Sequence, residues 1–142
     1  MKNTIAERVA DFLKRYPPFQ FLAADSLLQI AAQVQVLYFE KDKAIFKEKD
    51  TNHSMFYVVK DGAVRVFRTV DNQPKIADIC DEGDIFGLRP LITKEDYELS
   101  ASANEESIIY GIPIDLFLPI ALAHKEVSNF LIASFASNVS DP

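Results

Sequence analysis

Hydrophobic and polar positions follow two different periods along this chain, and the changes of period divide it into three stretches. Near the N-terminus, Ile5, Val9, Phe12, Leu13 and Tyr16 recur at the spacing that gives a helix one apolar face. Thr4 and Glu7 have the spacing of a capping box, and Pro17-Pro18 stops this helix at Arg15 or Tyr16. A second helix is predicted from Asp25 to Gln33, with Leu27, Leu28, Ala31 and Ala32 on its apolar side. From Val34 the period becomes two: Val34, Val36 and Tyr38 alternate with Gln35, Leu37 and Phe39. Strands are predicted at 34–40, 44–47, 54–60, 63–70, 75–81, 98–104 and 107–112. Lys60-Asp61-Gly62, Asp71-Asn72-Gln73-Pro74 and Asp81-Glu82-Gly83-Asp84 supply turns between them. After Pro113 the helical period returns, as Ile114–Ala123, broken or kinked near Pro119, and then Lys125–Val139. Val127, Phe130, Leu131, Ser134 and Phe135 share one face of that last helix.

Short strands in succession, with no helices between them, predict antiparallel sheet closed into a sandwich or roll. The expected fold is mainly β: a double-stranded antiparallel β-roll, jelly-roll-like, flanked by N- and C-terminal helices. One domain is expected over residues 1–142, with helices within 4–33, the roll at 34–112 and C-terminal helices at 114–139. A chain of 142 residues, 49% hydrophobic and 25% charged, suits a single globular core. The net charge of −6 leaves no basic cluster to neutralise phosphates, so nucleic acid is not an expected partner. With Cys80 alone there is no internal disulfide and no Cys-rich zinc site, which points to a reducing compartment. The charged N-terminus does not resemble a signal peptide, and no apolar run approaches the ~20 residues that span a bilayer. The expected setting is therefore cytoplasmic, away from the membrane.

Little in the chain points to catalysis. A metal-binding roll needs clustered imidazoles and carboxylates, but the histidines are His53, in a turn, and His124, at the start of the last helix. His53-Ser54 next to Asp50 contains a nucleophile and a base, yet three polar residues in one tight turn are the composition of a turn. Cys80 sits in a β-run and reads as a small hydrophobe. Asp81, Glu82 and Asp84 read as a solvated turn. The chain is read as non-catalytic, with no metal and no resident cofactor.

The segment from Phe39 to Phe117 resembles the cyclic-nucleotide-binding domain, the module of catabolite activator proteins and of protein kinase A regulatory subunits. The resemblance rests on Ala44-Ile45-Phe46, on the run from Met55 to Val66 with its Lys60-Asp61-Gly62 turn, and on Gly83-Asp84-Ile85-Phe86-Gly87. Ser100-Ala101-Ser102-Ala103, the stretch from Ile108 to Phe117 and the helix carrying Leu27 and Leu28 continue it. Two turn positions usually held by glycine in that family are Asp42 and Lys49, while Gly62 and Gly83 are kept; Lys49 suggests a turn of different shape. Pro-Pro-Phe at 17–19 and Phe-Gly-x-Arg-Pro-Leu at 86–91 are similar to multidomain bacterial signalling proteins. There the module precedes paired cystathionine-β-synthase-type domains and a nucleotidyltransferase-like domain.

The resemblance implies a phosphate-binding cassette made of Phe86, Gly87, Leu88, Arg89, Pro90 and Leu91 together with Leu99, Ser100 and Ala101. In the family an acid after the Phe-Gly pair holds the ribose, and an arginine before the small residues holds the phosphate. Here those positions are Leu88 and Leu99. A lost hydrogen bond to a charged group costs roughly 1.5–3 kcal/mol, and an unpaired buried charge roughly 3–5 kcal/mol. At least about 4 kcal/mol is missing, on the order of a thousandfold in affinity. Arg89, in the first turn of the cassette helix, has two readings: a fork onto an anion beside the Gly87 and Leu88 amides, or a solvated side chain pairing with Glu82 or Asp84.

The apolar stripe Val127, Phe130, Leu131 and Phe135 likewise has two readings, packing within the chain or a homodimer seam and bridge to an output domain. Nothing follows Pro142, which suggests a stand-alone binding subunit or a piece of a longer protein. The expected function is a regulatory sensor module with a degenerate cassette that binds cyclic AMP or cyclic GMP weakly or not at all, its ligand a nucleotide-like small molecule. The alternatives are a protein–protein interaction module and the ligand-sensing half of a transcription regulator.

Overall fold

Period-two segments rich in β-branched and aromatic residues build the middle of the chain into strands, as their alternation requires. The structure is a computed structural model that describes residues 4–139, with side chains described as far as Phe135. The chain forms two units: one is helical and is drawn from the sequence before and after the other, which runs from Gln35 to Ile112. The β unit consists of β1 (Gln35–Phe39), β2 (Ala44–Phe46), β3 (Met55–Asp61), β4 (Val64–Val70), β5 (Gln73–Cys80), β6 (Ile85–Phe86), β7 (Ser100–Ala103) and β8 (Ser107–Pro113). A short helix, α3 (Arg89–Thr93), lies between β6 and β7. The strands form two four-stranded sheets, ordered β1-β8-β3-β6 and β2-β7-β4-β5. The described pairings are antiparallel, as a roll requires.

The inward faces meet in one cluster that includes Ile45, Phe46, Tyr57, Val59, Val64, Val66, Phe86, Tyr97, Ala101 and Ile109. In β1 the inward residues are Leu37 and Phe39, leaving Val36 and Tyr38 exposed. β3, between β8 and β6, is buried on both faces from Phe56 to Val59, which explains its unbroken apolar run. The structure adds to the seven predicted strands β6, too short to show a period, and α3 is the short cassette helix that the resemblance implies. β5 begins at Gln73, two residues earlier than expected. Asp71 (φ 52°) and Asn72 (φ 64°) both take left-handed backbone, the geometry of a two-residue hairpin turn matched to strand twist. Pro74 is tolerated because β5 is an edge strand.

Positive φ also marks the turns where glycine was expected. Asp42 (φ 71°) and Lys49 (φ 75°) hold the left-handed conformation without being glycine. Lys49 therefore carries the strain of a left-handed residue, about 1–2 kcal/mol for an L-residue. Its amide is secured by donating to the carbonyl of Tyr97 at 2.6 Å. At Gly62 (φ +99°) a Cβ would run into Ser107 Oγ and, at 2.6 Å, the carbonyl of Glu106. Ser107 accepts from the Ala63 amide at 3.1 Å and donates to Glu105 O at 2.7 Å, which closes this corner of the roll.

The helical unit contains α1 (Thr4–Leu13), a 3₁₀ turn (Phe19–Phe21), α2 (Ala24–Ala31), α4 (Ile114–Leu122) and α5 (Lys125–Val139). Two predicted stripes are rotated. In α1 Ala6, Val9, Phe12 and Leu13 are buried, while Ile5 is 69% exposed. In α2 Leu27, Ile30 and Ala31 are buried, with Leu28 and Ala32 exposed, because i, i+3 and i+4 share a face and i+1 does not. α1 ends at Leu13, short of the expected 15 or 16. The Arg15 and Tyr16 amides reach back only three residues, to Phe12 and Leu13, and tighten the chain into a 3₁₀ end. Phe19 and Phe117, both fully buried, set their rings 5.9 Å apart. Pro119 lies inside α4, which runs on from Ile114 to Leu122 without the predicted break.

In α5 the stripe divides: Val127 and Leu131 are buried within the chain, and Phe130 and Phe135 are half-buried. No single helix among the described residues is long and apolar enough to cross a membrane. Only α4 and α5 taken together pass on length and composition, and they are bent by 112°.

Two substitutions test the turns. Gly62→Ala should lower the unfolding free energy by about 2–4 kcal/mol, combining left-handed strain with the clash on Ser107. Lys49→Gly should raise it by about 0.5–1 kcal/mol. Urea denaturation followed by circular dichroism reads both, and the two midpoints should move in opposite directions.

Candidate functional site

The cassette segment is built by a sharp change of direction. β6 pairs with β3, Tyr57 opposite Phe86, and the chain then turns at Gly87 with φ +74°. A side chain at Gly87 would press on the Phe46 ring at 3.0 Å and the Tyr57 ring at 3.3 Å, so glycine is required on both steric and conformational grounds. Leu88 caps α3 without a side-chain hydrogen bond, and Pro90 occupies its first turn. Lys94 (φ 59°) ends the helix in left-handed backbone.

Leu88 and Leu91 are buried, at 6% and 7% exposure, so the position where the family places a ribose-holding acid is apolar and turned into the protein. Leu99 packs against the roll's interior cluster, and Ala101 belongs to it. Ser100 falls on the opposite face of β7, across from Phe67, where its hydroxyl accepts from the Glu48 amide at 2.9 Å. The structure thus gathers Phe86, Leu99 and Ala101 at the interior, buries Leu88 and Leu91, and directs Ser100 elsewhere.

Arg89 is exposed. Its guanidinium forms no ion pair with Glu82 or Asp84, unlike Lys14 with Asp11 and Arg65 with Asp42. Asp84 instead accepts from the Asp81 amide at 2.8 Å, closing its own turn.

Sequence reasoning missed the feature that dominates the interior. Aromatic rings from four separate elements meet beside Gly87. Tyr97 lies flat on Phe46, with centroids 3.9 Å apart and planes 7° apart. Phe46 also neighbours Tyr57 at 6.1 Å and Phe86 at 6.1 Å, and Tyr57 stacks on Phe86 at 5.3 Å. His53 stands edge-on to Tyr97 at 5.3 Å. Its Nδ1 shares a 2.6 Å hydrogen bond with the Tyr57 hydroxyl, and its amide donates to the Tyr97 hydroxyl at 3.2 Å. Burial raises the pKa of both tyrosines, so each phenol stays protonated. The available signal was parity: Phe46, Tyr57 and Phe86 all occupy inward positions of their strands.

The remaining chemistry is structural. His53 is bonded to Tyr57 rather than to Ser54, whose amide is engaged by Asn52 Oδ1 at 3.1 Å. Cys80 is buried, and burial, followed by the nearby Asp78, Asp84 and Asp81, pushes its thiol up to about 12, far from a reactive thiolate. Among the described residues no three His, Cys, Asp or Glu side chains are placed to hold a metal ion.

The fold recurs among solved structures. The sensor domain of the transcriptional regulator DNR from Pseudomonas aeruginosa superposes with a TM-score of 0.82 at 18% identity, over 94% of this chain and 90% of that one. The regulatory subunit of a cAMP-independent protein kinase A from Trypanosoma brucei gives 0.79 at 18% identity, over 92% of this chain and 45% of that one. The catabolite activator protein of Thermus thermophilus gives 0.73 at 24% identity, over 85% and 57%. This chain therefore spans about half the length of the latter two proteins. No curated protein matches it. A family model, that of the cyclic nucleotide-binding domain, matches residues 36–124. Those residues include the roll, the Gly87 turn and the strand that follows it, and by that match the chain belongs to the cyclic nucleotide-binding domain family.

Proposed function

We propose that this chain is a non-catalytic regulatory module whose cassette grips a cyclic mononucleotide weakly or not at all, with α5 carrying the signal onward. The observation that carries this reading is the pair of buried or half-buried leucines, Leu88 and Leu99, at the two anchor positions. A ribose hydroxyl and a phosphate brought there would lose water without gaining partners, which costs several kcal/mol. The aromatic filling supports the same reading, because Phe46, stacked under Tyr97, already occupies the space against Gly87. The likeness to a regulatory subunit described as cAMP-independent and to the sensor domain of a transcriptional regulator is consistent with a sensor role within a longer protein.

A second reading, assembly through α5, is favoured by Ile132, which is 66% exposed and shares a helix face with half-buried Phe135, three residues on. Val127 and Leu131 contribute nothing to such a surface, being buried already.

Isothermal titration of the full chain with cyclic AMP and cyclic GMP should give dissociation constants of about 1 mM or weaker. Arg89→Ala should leave that result unchanged. Micromolar binding of cyclic AMP that disappears in Arg89→Ala would overturn the reading and make Arg89 the anion anchor. For the second reading, light scattering on the Ile132→Asp, Phe135→Asp variant should show a smaller particle than the unaltered chain, and an unchanged particle size removes it.

A further inference from the structure

Tyr97 is held in an unusual way for a core residue. It lies on the connection between α3 and β7, outside either sheet, and the residues before it, from Thr93 to Asp96, are exposed. Its backbone is clamped to the facing loop by two hydrogen bonds: its own amide to Asp50 O at 3.0 Å, and the Lys49 amide to its carbonyl at 2.6 Å. Asn52 Nδ2 adds a third tie, to Glu95 O at 3.0 Å. The side chain nevertheless enters the roll, 2% exposed, flat against Phe46 and within hydrogen-bond reach of His53. A buried ring is thus presented by a surface segment whose hinge, Lys94, is in left-handed backbone.

We propose that residues 94–99 form a latch and Tyr97 is its displaceable occupant. The slot beneath, made by Phe46, His53 and Tyr57, takes a planar, uncharged aromatic molecule. This rests on the reading that the cassette does not grip a cyclic nucleotide. Planarity follows from the Phe46 face, which accepts a parallel ring at 3.9 Å. Neutrality follows because Phe46 and Tyr57, which make the inner walls, are buried, with exposed His53 at the mouth, so an unpaired charge on the ring would go unsolvated. A hydroxyl or carbonyl on the ring is needed to accept from the His53 amide, as the Tyr97 oxygen does now.

p-Cresol, the tyrosine side chain freed of its backbone, is the probe. Tyr97→Ala should fold with a lower melting temperature. p-Cresol at about ten times its dissociation constant should restore roughly 3–5 °C of that loss, and it should raise the wild-type melting temperature by a smaller amount, because there it must displace Tyr97. In the wild-type chain, hydrogen exchange at the Lys49 and Tyr97 amides should run at least roughly tenfold faster than at the Val59 amide of the central strand. No p-cresol response in folded Tyr97→Ala, or latch amides exchanging in step with Val59, overturns the proposal.

Should Tyr97→Ala not fold, Tyr97→Phe keeps the stack and removes the bond to His53. Its latch amides should then exchange roughly threefold to tenfold faster than wild type with Val59 unchanged, and equal rates overturn the latch. Adding cyclic AMP to the wild-type chain separates the two readings. Micromolar binding that protects the Gly87 and Leu88 amides would remove the weak-cassette reading and the latch with it, whereas a failed p-cresol response without cyclic AMP binding removes the latch alone.

Discussion

Parallel stacking of Tyr97 on Phe46 fills the interior of the roll, and much of the surrounding geometry is arranged to permit it. Phe46 reaches that position from β2 only because Gly87 has no side chain to oppose it. Tyr57 and Phe86, opposite one another on β3 and β6, close the far side. His53 then ties the two phenols together, one through its ring and one through its amide. Aromatic pairs of this kind add roughly 0.5–1.5 kcal/mol beyond simple burial, and several share the same four or five side chains.

The apolar cassette and the aromatic interior are two aspects of one arrangement. A site for a cyclic phosphate needs an acid, a base and a water-lined approach. Here Leu88 and Leu99 are directed inward, so the segment contributes to the hydrophobic core rather than drawing from it. The backbone frame persists all the same: Gly87 keeps its left-handed turn, and Asp42 and Lys49 keep theirs without glycine. Left-handed backbone and side-chain chemistry are thus set by different residues in this chain.

Much of this was legible in the residues, and what was not has identifiable causes. Period-two runs located the long strands, and the prolines at 113 and 17–18 bounded the helices, because period and backbone chemistry are local properties. β6 was invisible because two residues define no period. The α1 stripe was misjudged at Ile5, and the α2 stripe at Leu28 and Ala32, because a helix face is chosen by what it packs on. The leucines at the cassette could be read by resemblance, while the meeting of Phe46, Tyr57, Phe86 and Tyr97 could not, since they are brought together only by the pairing of distant strands.

The edge of the second sheet has one more consequence. β5 exposes nearly every residue and ends its sheet, leaving one row of amides and carbonyls without a neighbouring strand. Pro74 removes one donor from that strand, Lys75 places a charge beside it, and the irregular register at Val66 and Phe67 bends the ladder. Features of this kind discourage the open rim of a sheet from recruiting strands of other molecules. The rim of this hairpin is thereby a poorer template for a second molecule's strand than a flat, unbroken edge would be.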